Sequence, residues 1–204
     1  MSEVFDPLSY ENLGASIARA LDEQPLEILD NLPRFDGAGI YALYYSGFFD
    51  AYEPLAKVNR EKPGSWAIYI GKADADATRK GDPTAAPAEV GAKLWSRLQN
   101  HRKSIEAAVN LDSRDFLIRR LVVSPTWVPL AESIALRLHH PVWNSVLDGL
   151  GNHDPGKGRY AGMKPRWDHL HPGRPWADKL QTQRPETPDQ LAAEVQRFLH
   201  RFHP

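Results

Sequence analysis

Six polar side chains in the 204-residue chain are of types and spacings that could do chemistry together: Tyr41, Tyr69, Arg97, His101, Glu132 and Asn144. Arg97 and His101 are four residues apart, which puts them one turn apart on one face of a helix. Glu132 lies in the apolar stretch LAESIALRL, where a carboxylate is unusual unless it faces solvent, caps a helix or holds a metal. A guanidinium offers an anion a fixed, permanently charged fork, an imidazole exchanges protons near neutral pH, and a carboxylate ligates a hard cation. Each residue also has a plain structural reading. Tyr41 and Tyr69 suit a half-buried strand face, Arg97 and His101 a solvated helix, and Asn144, just after Pro141, the cap of a turn. Other chemistries find no support. There is no cysteine, hence no disulfide framework, thiolate metal site or cysteine nucleophile. The sequence has no Walker A stretch, no HExxH helix and no G-x-S-x-G turn. His139 and His140 read as partners of a helix C-terminus rather than as metal ligands.

The elements that must position these residues follow from hydrophobic periodicity. Leu13, Ile17, Ala20, Leu21 and Leu26 predict an amphipathic helix from about Ser9 to Leu29, interrupted by Pro25. GIYALYY (Gly39 to Tyr45) and SWAIYIG (Ser65 to Gly71) are rich in β-branched and aromatic residues and read as strands, with a helical insertion over Tyr52 to Arg60 between them. Lys72 to Pro87 reads as a long surface loop. Leu94, Leu98, Ile105 and either Ala108 or Val109 then mark a half-buried helix from Glu89 to Val109. Asp115 to Val123 is a third strand, and Pro129 to Leu138 a helix closed by Pro141. Asp148 to Pro188 has little periodicity. Thr187 opens the last helix with a capping box and a proline at its first position, and Leu191, Val195, Phe198, Leu199 and Phe202 are its buried face.

Composition adds a charge asymmetry that the net value of −1 conceals. Residues 1 to 36 carry eight acidic groups against two basic ones. Residues 93 to 120 carry seven basic against three acidic, and residues 157 to 184 seven against two. Two basic segments behind an acidic head fit a surface that faces a polyanion, although charge alone fits a solvated face equally well. The start, MSEVFDPLSYENLG, lacks a basic n-region and an apolar h-region, and no run approaches the roughly 18 apolar residues of a membrane span. A soluble, cytoplasmic protein without a membrane partner is expected.

Taken together, Gly39-Ile40-Tyr41 and Tyr69-Ile70-Gly71, then Arg97-x3-His101 on a helix and a later helical Glu132, resemble the GIY-YIG nuclease superfamily. GAGIYALYYSG (Gly37 to Gly47), YIGKA (Tyr69 to Ala73), PVWNSVLDGLGNH (Pro141 to His153), PGKGR (Pro155 to Arg159) and HPGRPWA (His171 to Ala177) narrow the likeness. They resemble the NgoMIII-like branch of its type II restriction endonucleases, which cut CCGCGG. The resemblance spans about residues 35 to 180. It implies an α+β fold with a small three-stranded mixed or antiparallel sheet flanked by helices, inserted loops and a C-terminal extension. The chain then divides into an N-terminal helical segment (1–36), a catalytic core (37–147) and a DNA-recognition and dimer extension (148–204) within one domain.

The same resemblance implies an activity and its parts. Phosphodiester hydrolysis needs an activated water, a group that absorbs charge on phosphorus and help for the departing 3′ oxygen. Glu132 is expected to hold one Mg²⁺, with Mn²⁺ as a substitute, and Arg97 to contact the scissile phosphate. Tyr41, beside the attacking water, Tyr69 and His101 would line the other side, and Asn144 would orient the site. Tyr41 or His101 is the general base. A phenol with a pKa near 10 is about 0.1% ionised at pH 7, so a relay in which His101 takes the Tyr41 proton is favoured. The resemblance assigns base recognition and dimer contacts to residues 46–64, 72–92 and 148–180, and Lys72, Arg102, Lys103, Asn152, His153, Lys157, Arg159 and Arg174 are the candidate DNA contacts. A palindromic target implies a homodimer on double-stranded DNA, and a cell with such a nuclease needs a partner DNA methyltransferase. The alternatives are a DNA-binding protein that has lost catalysis, or a repair or mobile-element nuclease on the same core.

Overall fold

A computed structural model describes residues 6, 9–74 and 91–202. Most of the expected 72–87 loop lies outside them. The architecture is α+β: an antiparallel sheet with helices on both faces. Four strands, β1 (Glu27–Ile28), β2 (Gly39–Tyr45), β3 (Ala67–Ala73) and β4 (Phe116–Val122), lie in the order β1-β4-β2-β3.

The sequence predicts three of these strands and a helix across the fourth. Helix α1 (Tyr10–Asp22), capped by the Ser9 hydroxyl on Asn12 N–H, ends before Pro25. Proline lacks a donor and biases the preceding residue towards extended backbone. Glu27 and Ile28 therefore leave the helix and pair with Ile118 and Leu117 of β4. The Glu27 carboxylate fixes the edge by accepting from Arg120 Nε at 2.7 Å.

Strand β2 is the centre of the molecule, with all seven residues buried. Its alternate side chains serve two separate cores, which is why it reads as a continuous apolar run rather than an alternating one. Ile40, Ala42 and Tyr44 pack against Leu21 of α1 and Val128, Ala131 and Ala135 of α4 (Val128–His139). Tyr41, Leu43 and Tyr45 face the larger core, built from α2 (Glu53–Glu61), α3 (Lys93–Ala107), α5 (Val142–Ser145), α6 (Arg166–Leu170) and α7 (Pro188–Arg201). The helical insertion expected between the strands is α2. Buried Asn59 ties it down by donating to the carbonyls of Tyr45 and Trp66 and accepting from the N–H groups of Ser65 and Trp66.

In α3 the expected stripe is buried, and Ala108 rather than Val109 completes it: Ala108 is inside and Val109 78% exposed. Helix α7 carries the full capping box between Thr187 and Gln190 and sends Leu191, Val195 and Leu199 into the same core as α3. His140 caps α4 in the left-handed conformation (φ 42°) and stacks on Phe202, while His139 lies 3.7 Å from Asp22.

Candidate active site

A bulge positions the two strand tyrosines. Tyr41 pairs with Gly71 and Leu43 with Tyr69, but Tyr44 pairs with Ala67, so Ile68 is the extra residue in β3. Past the bulge, Tyr69 and Gly71 share the face of Tyr41. A Cβ on Gly71 would lie 2.4 Å from Tyr41 Oη, so only glycine there leaves the phenol its place. The Tyr41 and Tyr69 ring centroids are 6.1 Å apart.

Helix α3 lays His101 and Arg97 over this face. His101 is buried, with Nε2 2.5 Å from Tyr41 Oη and its ring edge-on to Tyr69 at 5.2 Å. Burial raises the Tyr41 phenol well above its ordinary pKa, the Tyr69 phenol adds to the rise, and the Arg97 guanidinium offsets part of it. Burial raises Tyr69 as well, again against Arg97. Burial, reinforced by the charge of Arg97, pushes His101 well below its ordinary value. Phenol and imidazole are therefore both neutral at pH 7. With the proton on Nδ1, His101 Nε2 is the acceptor of the Tyr41 hydroxyl.

Arg97, half-buried, donates from Nη1 to the Gly151 carbonyl at 3.3 Å and to His153 Nε2 at 3.4 Å. Glu132 comes from α4, on the other side of the sheet, and meets Lys72 of edge strand β3 at 3.3 Å. Its charge reaches the Tyr69 phenol. Lys72 also lies 3.6 Å from Asp74, and although burial works against its ammonium, the two carboxylates hold its pKa above the usual value. Asn144 grips the edge strand: Oδ1 accepts from Ile70 N–H at 2.9 Å and Nδ2 donates to the Ile70 carbonyl at 2.8 Å. This fixes β3 between the tyrosine face and the Lys72–Glu132 pair.

Among the described residues no group of three or more His, Asp or Glu side chains could by itself cage a metal ion. A lone carboxylate nonetheless suits Mg²⁺, which keeps several waters and is usually held through one or two carboxylates and substrate phosphates. Glu132 fits that donor chemistry.

The expected DNA contacts divide. Lys103, Asn152, His153, Lys157 and Arg159 are exposed, and Asn152, His153 and Arg159 line an open cleft of about 430 Å³ shared with Trp176. Arg102 is committed to Glu106 at 3.2 Å and Asp30 at 3.7 Å. Arg174 is a correction. It is 3% exposed, its guanidinium is bound to Asp168 and to backbone carbonyls, and it has no surface to offer a nucleic acid. Sequence reasoning also passed over Gly151, which touches Arg97, and Asp168, the partner of Arg174. An aspartate six residues before the arginine of HPGRPWA was the available signal.

An antiparallel sheet of this order with helices on both faces is consistent with the core of a GIY-YIG domain. Residues 33–199 match the family model described as the Eco29kI GIY-YIG domain, and the chain belongs to that family of restriction-type nucleases. No curated protein matches it significantly. Membership implies a DNA partner, and among the described residues no helix is long and apolar enough to cross a membrane.

Proposed function

We propose that the protein is a type II restriction endonuclease that hydrolyses both strands of a palindromic GC-rich site, CCGCGG, with Mg²⁺. The observation that carries this reading is the buried Tyr41–His101 contact, set beside Arg97 and across the sheet edge from Glu132, in a chain of this family. Glu132 holds the cation, Mg²⁺ or Mn²⁺, whose charge when bound stabilises the negative charge that builds up on the phosphate oxygens. Arg97 forks onto the scissile phosphate, and Lys72 adds a second cation beside it.

Proton movement falls to the Tyr41–His101 pair. From ordinary pKa values, moving the phenolic proton onto imidazole costs about 5 kcal/mol, and the opposite shifts of the two groups widen the gap. A free tyrosinate is thus too costly to precede the reaction. Tyr41 instead takes the proton of the attacking water as it passes its own to His101, and the phosphorane charge compensates the new imidazolium. Water oxygen bonds to phosphorus, the bond to the 3′ oxygen breaks, the departing 3′ oxygen takes a proton from solvent, and the proton of the attacking water ends on His101 Nε2.

A homodimer gives each strand of a palindrome one active site, and residues 148–204 form the DNA-recognition and dimer extension, with Asn152, His153, Lys157 and Arg159 among its contacts and Lys103 on α3 beside it. Pairing with a DNA methyltransferase follows from the need to protect the host genome. The test is digestion with Mg²⁺ of two plasmids, one with a single CCGCGG and one without, alongside Glu132→Ala and an EDTA control. Linearisation of the first plasmid alone, lost in both controls, is expected. Equal nicking of both plasmids overturns the specificity, and binding without cleavage overturns the activity.

A further inference from the structure

Arg174 is the most heavily bonded side chain in the C-terminal extension, and none of its bonds reaches solvent or the catalytic residues directly. Nε and Nη2 donate to the two carboxylate oxygens of Asp168 at 2.6 and 2.5 Å. Nη1 donates to the carbonyls of Leu150 at 2.9 Å and Asn152 at 3.1 Å, and Nη2 to that of Gly149 at 2.8 Å. Nη1 also reaches Ser104 Oγ at 3.4 Å, on the helix that carries Arg97 and His101. The rings of Trp167 and Trp176 each lie 4.7 Å from the guanidinium carbon. A charge this deeply buried is retained only with its partners complete. Those partners are three of the four carbonyls between residues 149 and 152, and the fourth, Gly151, accepts from Arg97. Gly151 also approaches Arg97 so closely that a Cβ there would lie 2.4 Å from Nη2.

We propose that Arg174, locked by Asp168, is the positioning residue of Arg97: it holds the 149–152 backbone in the one shape that presents the Gly151 carbonyl, and His153 beyond it, to the Arg97 guanidinium. Its role in cleavage rests on the function proposed above. The placement of Arg97 does not. A long, flexible arginine used as an electrostatic clamp needs such a fixed surface, because misplacement by about 1 Å costs about 10²-fold in rate.

The test has two arms. In the DNA-free protein, ¹⁵N relaxation of the Arg97 Nε–Hε group reports its order, with the Arg119 group as an internal reference for the rest of the fold. Arg174→Lys keeps the charge opposite Asp168 but cannot reach three carbonyls, and Gly151→Ala disturbs only the flexible end of Arg97. Both variants should shift and loosen Arg97 while Arg119 stays unchanged. Gly151→Ala should also keep the melting temperature of the parent, so it decides the matter if Arg174→Lys does not fold. An unmoved Arg97 in Gly151→Ala, or Arg97 and Arg119 loosened together in Arg174→Lys, overturns the proposal.

The second arm is a cycle of single-turnover cleavage rates at saturating protein on the CCGCGG plasmid. Arg174→Lys should slow cleavage at least tenfold in the parent and less than threefold in an Arg97→Lys background, because a group acting through Arg97 has nothing left to position. Equal losses in both backgrounds overturn it. If Arg97 loosens as expected but Arg97→Lys cleaves at the parental rate, the positioning stands and the proposed function of Arg97 falls.

Discussion

Two buried tyrosine–histidine pairs share one core and one geometry, Oη···Nε2 at 2.5 Å, yet only one of them adjoins a charged side chain that leads towards the surface. Around Tyr52 and His171 the phenol oxygen and both imidazole nitrogens have their partners. The Trp143 Nε1–H donates to Tyr52 Oη at 2.7 Å, the Tyr52 hydroxyl donates to His171 Nε2, and Nδ1–H donates to Asn110 Oδ1 at 2.9 Å. Asn110 Nδ2 ends the chain on the Leu170 carbonyl at 3.0 Å. The rings of Phe49, Trp143 and Trp167 surround the imidazole, and burial pushes its pKa down to about 3. The Tyr41–His101 pair is as deeply buried, but it borders Tyr69 and the half-buried Arg97, which leads outward to exposed His153. On the function proposed above, a short hydrogen bond between phenol and imidazole serves as a proton relay only where a cation such as Arg97 adjoins it. Closed on itself, the same pair is a fastener between the turn that opens α2, helix α5 and the C-terminal extension.

The sharpest way to break this comparison is to remove each hydroxyl in turn. Tyr41→Phe should lower single-turnover cleavage by about 10³-fold and leave DNA binding intact. Tyr52→Phe strands the Trp143 N–H and His171 Nε2 in the core, so it should cost about 1–3 kcal/mol of stability while the folded fraction cleaves within threefold of the parent. Cleavage lost in Tyr52→Phe at unchanged stability would make the second pair part of the machinery.

A smaller effect comes from acid. His171 binds a proton near its ordinary value when unfolded but only near pH 3 when folded. The unfolded state therefore holds more protons between those values, and stability falls as pH drops through that window. From pH 7 to pH 5 this group alone should cost about 2 kcal/mol, with His101 adding in the same direction. Urea midpoints of parent and His171→Gln at the two pH values check it: the acid loss should shrink in the variant, and an equal loss in both would show that His171 is not shielded. The smallest change is expected from Asn110→Ala. Asn110 is exposed, water can replace its amide, and stability should fall by no more than about 1 kcal/mol. A larger loss in denaturant titrations would mean that this end of the network is closed too.

Much of the fold was legible because periodicity and burial agree locally. The limits of β2 follow from an apolar run that packs on both faces, and α7 from its capping box. β1 was missed because two residues carry no periodicity, and only Pro25 marked where the helix had to stop. The polar residues were harder to read. Arg174 has the same side chain as a phosphate contact, and the one local sign that sets it apart from exposed Arg159 is Asp168, six residues earlier. Asp168 and three carbonyls decide the matter, and their convergence is tertiary. His171 drew no attention in HPGRPWA because the partner that defines it, Tyr52, lies 119 residues earlier.

By itself, then, the sequence determined which side chains exist and which share a helix face or strand, since spacing of four and spacing of two are backbone geometry. It carried the family through Tyr41, Tyr69, Arg97, His101 and Glu132. Only the tertiary structure decided which histidine lies beside Arg97, which arginine faces solvent and which is locked inside, and how Glu132 meets Lys72 at the edge of the sheet. Those outcomes depend on burial and on contacts between parts of the chain from 6 to 60 residues apart, where desolvation and the completeness of a side chain's partners, rather than its type, set what it can do.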